Sequence, residues 1–209
     1  LEKWKTLQSE YIHKSDFGNI RKDNCELLDG TIIEAYHVNE YPDWVNAVVI
    51  TKEKEIVIVE QFRYAGNDTF LEIPAGNLEE FETCEAGIVR EVMEETGYIS
   101  PHRPILLGEF MVNPATQTNK IKTFLILDAE KEKEQNLDDI EDINVHLFNF
   151  DTFGHMLRSS SLKTQLFTCT CLLYGERLFN LGPQINRQIS YCKDKGIDTL
   201  KGEFDNTRR

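Results

Sequence analysis

The sequence predicts an α/β fold in which a mixed β-sheet is sandwiched between helices. Three observations carry that expectation. Strand-like and helix-like runs interleave along the 209 residues, as in layered α/β domains. The strand runs are too amphipathic for a purely parallel, doubly wound sheet, whose strands are buried on both faces. One helix, at residues 83–96, has clear start and stop residues.

In chain order, residues 1–44 mix polar and apolar positions with little periodicity, except that 31–38 (TIIEAYHV) reads as a strand after the Asp29-Gly30 turn signal. Residues 45–51 (VNAVVIT) and 55–62 (EIVIVEQF) are β-branched runs separated by Lys52-Glu53-Lys54, which together read as an antiparallel hairpin. A short strand at 70–73 breaks at Pro74-Ala75-Gly76. The helix at 83–96 takes Thr83 as its cap and Gly97 as its left-handed stop. Ala86, Val89, Val92 or Met93, and Thr96 form its apolar stripe. Strands at 105–112 and 121–127 flank the loop 113–120. The acidic run at 128–142 reads as a solvated, mobile face. A strand at 145–150, a short helix at 152–158 and a longer helix at 161–180 follow, the last with Leu162, Leu166, Cys169, Leu173 and Leu178 near helical spacing. The expected division is an N-terminal region at 1–44, a main domain at 45–182 and a polar tail at 183–209.

Composition narrows the function classes. A hydrophobic share of 40% and a charged share of 28% are ordinary for a folded domain, but the net charge of -13 opposes non-specific contact with nucleic acid or anionic membrane. An anionic substrate would therefore need local positive charge, from metal or from chosen Arg and Lys side chains. The five cysteines, Cys25, Cys84, Cys169, Cys171 and Cys192, cannot all pair within one chain, and none stands at zinc-finger spacing. Thiols in a reducing compartment are expected. No cleavable leader pattern and no apolar stretch of bilayer length are visible, so a cytoplasmic location is expected.

The chemistry concentrates in residues 76–98, GNLEEFETCEAGIVREVMEETGY. On a helix Glu91 and Glu95 stand one turn apart with Glu94 beside them, so three carboxylates share one face. Their repulsion costs stability unless a cation neutralises it. Hard oxygen donors without His or Cys suit Mg2+ or Mn2+ rather than Zn2+. The Pro74-Ala75-Gly76 break can bring a backbone carbonyl to the same ion. Such an ion holds a pyrophosphate, neutralises charge on phosphoryl oxygens and lowers the pKa of a bound water. An exposed acidic helix with an Arg90–Glu94 pair would explain an isolated acidic stretch. It does not explain the whole pattern.

That pattern is G-x5-E-x7-R-E-U-x-E-E-x-G-U, with U bulky and apolar, filled by Gly76, Glu82, Arg90, Glu91, Val92, Glu94, Glu95, Gly97 and Tyr98. In it the chain resembles the Nudix hydrolases, although Tyr98 stands where an aliphatic residue is more usual. The resemblance implies an α/β/α sandwich with the signature as a loop-helix-loop. It implies metal ligation by Glu91, Glu94, Glu95 and the Ala75 carbonyl, and a structural or outer role for Glu82. Arg90 would orient the glutamates.

Outside the signature, Glu60-Gln61-Phe62-Arg63, the lead-in Leu71-Glu72-Ile73-Pro74-Ala75-Gly76, and Pro114, sixteen residues beyond Tyr98, resemble the ADP-ribose pyrophosphatase branch. By that likeness Arg63, Glu72 and Pro114 belong to the substrate site. The loop Asn113-Pro114-Ala115-Thr116-Gln117-Thr118-Asn119-Lys120 departs from the branch in carrying no carboxylate. Glu141, with Asp139 second, matches the position from which a loop delivers a catalytic glutamate. The branch also implies a homodimer formed through an N-terminal β region that contributes to a nucleobase pocket. Tyr11, Phe17, Tyr36, Tyr41 and Trp44 offer stacking faces for it. The reaction implied is metal-dependent cleavage of ADP-ribose or a related nucleoside diphosphate sugar. GDP-mannose, UDP-glucose or a dinucleotide remain alternative substrates. A non-catalytic nucleotide-binding regulator is opposed by the intact Glu91, Glu94 and Glu95.

Overall fold

The computed structural model describes residues 2–170. Its N-terminal part is a three-stranded antiparallel sheet in the order β1 (Lys5–Ser15), β2 (Gly18–Glu26), β3 (Ile32–Glu40). Cross-strand charges pin it: Lys22 reaches Glu10 at 2.7 Å and Arg21 pairs with Glu40, while along β2 Arg21 also holds Asp23 at 2.9 Å. β1 is exposed along its whole length.

The main sheet contains β4 (Trp44–Thr51), β5 (Glu55–Arg63), β6 (Asp68–Glu72), β7 (Ala75–Asn77), β8 (Tyr98–Ile99), β9 (Ile105–Met111), β10 (Lys120–Lys131) and β11 (Ile143–Asn149). Its order is β11-β5-β4-β10-β8, with β6 on β5, β7 on β4 and β9 on β10. Among the described residues the β4–β10 pairing is the only parallel one in this sheet, so the sheet is mixed. The helices α1 (Cys84–Thr96) and α2 (Phe150–Arg158) cover its two faces. Period-two alternation divides the core accordingly. Val45, Ala47, Val49 and Val57 pack with Ile88 and Val92 of α1, whereas Val48, Ile50, Ile56 and Ile58 pack with Phe150 and Phe153 of α2. The α/β/α sandwich expected from the sequence is the observed fold. Tyr98, the unusual last signature residue, is buried in the α1-side core.

The β4–β5 hairpin closes through Lys54, whose φ of 64° places it in the left-handed region. The strands pair only at Val49–Val57 and Ile50–Ile56. Beyond that point β5 continues with β6, while β4 takes β7 through Val45–Gly76 and Asn46–Ala75. This divergence sets the first signature residues beside the Arg63 end of β5.

Two expectations need correction. The acidic run at 128–142 is largely solvent-exposed, but its backbone is tied to the fold rather than free. Residues 128–131 finish β10, where Glu130 and Lys131 pair with β8. The next residues cap α1: Glu132 and Lys133 amides donate to the Gly97 carbonyl, and the Asn136 amide donates to the Glu94 carbonyl. A helix end leaves carbonyls that need donors, and this polar run supplies them. The helix expected at 161–180 starts at residue 166 within the described chain. Residues 161–165 are irregular because the Lys163 carbonyl accepts from Leu71 N–H beside β6 and its side chain pairs with Asp68. Leu173, Leu178, Cys171, Cys192 and the tail at 183–209 lie outside the described residues. Cys25 is buried, Cys84 and Cys169 are half-buried, and all three are free thiols. Among the described residues no helix is long and apolar enough to cross a membrane.

Candidate functional site

Helix α1 begins where the sequence signals it, with Thr83 Oγ1 accepting from Ala86 N–H at 3.2 Å. It ends on Gly97, whose φ of 75° is left-handed and whose amide donates to the Met93 carbonyl at 2.9 Å. Between these ends Arg90 is the hub. Its Nε and Nη2 each donate to the Glu82 carboxylate at 3.0 Å, and Nη2 also reaches the Asn77 carbonyl at 3.0 Å. Nη1 meets Glu94 at 2.8 Å and Glu91 at 3.0 Å. The guanidinium holds Glu82 below the usual carboxylate range and is itself raised by the carboxylates around it. Arg90 thus ties loop, strand and helix together and orients two of the three clustered glutamates.

Glu91 lies over Gly76. A Cβ on Gly76 would fall 2.0 Å from the Glu91 carboxyl carbon, so only glycine leaves room for that group. Burial is the main reason the Glu91 carboxyl is pushed up to about 7. Arg90 opposes the shift, while Glu94 and Glu141 add to it. Glu95 is 3% exposed and its Oε2 accepts from the Ala75 amide at 3.1 Å. Burial raises this carboxyl well above the usual range against the pull of that hydrogen bond, with Glu91 and Glu141 reinforcing the rise.

Arg63 and Glu72 face each other across β5 and β6, with Nη2 to Oε2 at 2.6 Å and Nε to Oε1 at 3.2 Å. Glu72 is buried, so its charge is balanced by Arg63. The guanidinium is near enough to Glu95 to favour its ionised form. Glu141 closes a turn, its carboxylate accepting from the Asp138 amide at 3.1 Å, and its charge is felt by both Glu91 and Glu95. Asp139 is exposed in the same turn. Pro114 is exposed in a loop that docks on the N-terminal sheet. There Tyr36 donates to the Ala115 carbonyl, and the Asn39 amide donates to the Thr116 carbonyl at 2.8 Å.

The structure therefore brings Ala75, Glu82, Arg90, Glu91, Glu94 and Glu95 together. Arg63, Glu72 and Glu141 lie within electrostatic reach, and Pro114 stands at the N-terminal sheet. Two contributors carry no signal in the sequence. Asn77 acts through its carbonyl, which any residue has. Gln135 Nε2 bridges the Glu95 carbonyl at 2.6 Å and the Ile143 carbonyl at 3.1 Å, joining the helix end to β11 across the Glu141 turn.

The side-chain donors suit a hard divalent ion: they are carboxylate oxygens, those of Glu95 buried and those of Glu91 half-buried, and a cation would relieve their crowding. Among the described residues no three His, Cys, Asp or Glu side chains converge into a ready cage. Arg90 occupies Glu91 and Glu94, and the Ala75 amide occupies Glu95.

A loop-helix-loop carrying three acidic side chains, set in an α/β/α sandwich, defines a Nudix-type hydrolase. Residues 41–164 match the NUDIX domain family model. The chain belongs to the Nudix family, and is a pyrophosphohydrolase of its ADP-ribose pyrophosphatase-like branch. Residues 4–39 match the model described as the nucleoside diphosphate sugar hydrolase N-terminal domain. The chain is 30% identical over 142 residues to the ADP-ribose pyrophosphatase of Bacillus subtilis (strain 168), covering 68% of this chain and 76% of that protein. It has the same identity and coverage with the methanol dehydrogenase activator of Bacillus methanolicus. A crystal structure of an ADP compounds hydrolase shares the fold, with a TM-score of 0.73 and 16% identity over 88% of this chain and 97% of that one. Nudix hydrolases in general depend on a divalent metal.

Proposed function

We propose that the protein hydrolyses the diphosphate of ADP-ribose, or of a closely related nucleoside diphosphate sugar, to a nucleoside monophosphate and a sugar phosphate. The observation that carries this reading is the pair of crowded carboxyls, half-buried Glu91 over Gly76 and buried Glu95 on the Ala75 amide. Glu91, Glu94, Glu95 and the Ala75 carbonyl are the groups that would hold Mg2+, with Mn2+ as a substitute. The ion supplies neutralisation of the charge that develops on phosphoryl oxygens. Arg90, anchored on Glu82 and the Asn77 carbonyl, keeps the glutamates on one face. Arg63, braced by Glu72, offers its remaining donors to the substrate's phosphate or ribose oxygens. Glu141, across from Glu91 and Glu95, orients or deprotonates the attacking water.

The choice of ADP-ribose is supported by the Arg63 and Glu72 lead-in and by the name of the Bacillus subtilis relative. The fully exposed β1, which presents Leu7, Tyr11 and Ile12 with Trp4 just before it, supports a homodimer built on the N-terminal sheet. A chromatographic screen of ADP-ribose, GDP-mannose, UDP-glucose, NADH and diadenosine polyphosphates tests the reading. Selective, metal-dependent release of AMP from ADP-ribose is expected. Equal, slow turnover of all of them would remove the substrate assignment.

A further inference from the structure

The strap that follows β10 is stitched across the C-terminal end of α1. The Glu132 and Lys133 amides donate to the Gly97 carbonyl at 3.0 and 3.2 Å, and the Asn136 amide donates to the Glu94 carbonyl at 2.9 Å. The strap lies so close that a Cβ on Gly97 would fall 2.1 Å from the Lys133 carbonyl oxygen. These are main-chain bonds, open to any residue but proline. The Gln135 side chain carries the connection onward. Its amide nitrogen donates to the Glu95 carbonyl at 2.6 Å and to the Ile143 carbonyl at 3.1 Å. Glu95 lies in the last turn of α1, where carbonyls lack intrahelical donors, and Ile143 opens the edge strand β11. Two hydrogens on one nitrogen serve both acceptors, which a carboxylate or a thioether of the same length cannot do.

Glu141 hangs from this clasp. Residues 136–142 run from the helix end to β11 and close as a turn, with the Glu141 amide donating to the Asp138 carbonyl at 2.9 Å and the Asp138 amide donating to the Glu141 carboxylate at 3.1 Å. Glu141 is half-buried, and its charge reaches both Glu91 and Glu95. Carboxylates that face one another repel, so the turn swings outward unless its base is held. Ile143 is a firm anchor, buried and paired with Gln61 of β5. Tying the helix end to that anchor narrows the base of the loop. A narrower base leaves fewer conformations in which Glu141 points elsewhere.

We propose that Gln135 is a positioning residue: by joining the Glu95 and Ile143 carbonyls it holds Glu141 opposite Glu91 and Glu95. The proposal rests on the hydrolase reading for what Glu141 does there, whereas the clasp itself is independent of that reading.

Two variants of the full chain separate side-chain shape from hydrogen-bond donation. Gln135→Met keeps the length and donates nothing, whereas Gln135→Lys keeps donors. Each is assayed for kcat and KM on ADP-ribose with Mg2+ and, without metal or substrate, for amide hydrogen exchange over residues 136–142 by mass spectrometry. Gln135→Met should lower kcat about tenfold or more with KM within about twofold, since a misplacement of about 1 Å can cost on the order of 100-fold. Exchange over 136–142 should quicken about tenfold or more while that of β1–β3 stays unchanged. Gln135→Lys should recover most of both losses. Action through Glu141 has its own signature: in a Glu141→Gln background, Gln135→Met should cost less than about twofold further. A residue that merely supports the fold would cost the same factor in both backgrounds. That equal cost, unchanged exchange in Gln135→Met, no recovery with lysine, or a Gln135→Met protein that does not fold would overturn the proposal. Quickened exchange in a protein that cleaves no diphosphate leaves the clasp standing and defeats only the hydrolase reading. Turnover with kcat and exchange indifferent to Gln135→Met defeats only the positioning role.

Discussion

Gly76→Ala isolates the geometry of the proposed metal site from the stability of the fold. The added Cβ would lie 2.0 Å from the Glu91 carboxyl carbon and 2.2 Å from both of its oxygens. Ordinary contact begins near 3.4 Å, so the carboxyl has to retreat by more than 1 Å, and a displacement of about 1 Å can already cost a reaction on the order of 100-fold. Stability should barely change. The obstacle is the end of a side chain rather than backbone, Gly76 is not among the positive-φ glycines, and alanine is favoured over glycine inside a strand by about 0.5–1 kcal/mol. The assay is kcat and KM for ADP-ribose with Mg2+, alongside urea unfolding. The account expects kcat down about 100-fold with unfolding free energy within about 1 kcal/mol of the unaltered protein. A kcat within about threefold at unchanged stability would refute the idea that Glu91 must lie over Gly76.

Glu95→Gln should abolish metal-dependent activity while leaving the protein folded, since it removes a buried charge from a crowded helix face. Unchanged activity would rule out its role as a ligand. Glu141→Gln should lower kcat by about 100-fold or more with little change in KM, the scale of general-base loss. A near wild-type kcat would remove Glu141 from the reaction. Asp23 carries the pH prediction: Arg21 holds its carboxyl below the ordinary aspartate value. A depressed pKa contributes stability above the unfolded value and loses it as pH falls through the folded one. Asp23→Asn should therefore cost about 1–3 kcal/mol at pH 7 and progressively less on acidification, read by urea unfolding. A pH-independent gap would contradict this.

The parts of the site legible in the sequence are those whose determinants are local. Thr83, the apolar stripe and Gly97 define α1 within a few turns of chain, and the spacing of Glu91, Glu94 and Glu95 follows from helix geometry alone. The central strands β4 and β5 show as β-branched runs because both of their faces are buried. β1 escapes the pattern for the opposite reason: it is exposed throughout, so no hydrophobic period marks it. β7 is three residues long and is a strand only because Val45 and Asn46 pair with it. The acidic run is exposed as its composition suggests, but its anchoring is not legible there, because its partners are the carbonyls of Glu94, Glu95 and Gly97, backbone groups that composition cannot reveal. Arg63 and Glu72 were each expected at the site, but their mutual ion pair depends on the β5–β6 register, which brings two separated residues to one face.

The central claim is that the carboxyl cluster around Gly76 makes this chain a metal-dependent hydrolase of ADP-ribose-like diphosphates. Its most direct test is product analysis by chromatography after incubation with ADP-ribose and Mg2+, with a parallel sample in chelator. The account predicts AMP and ribose 5-phosphate in equal amounts with metal and neither product without it. Absence of cleavage of ADP-ribose and of every other diphosphate in the screen, with Mg2+ or Mn2+ present and the protein folded, would contradict it.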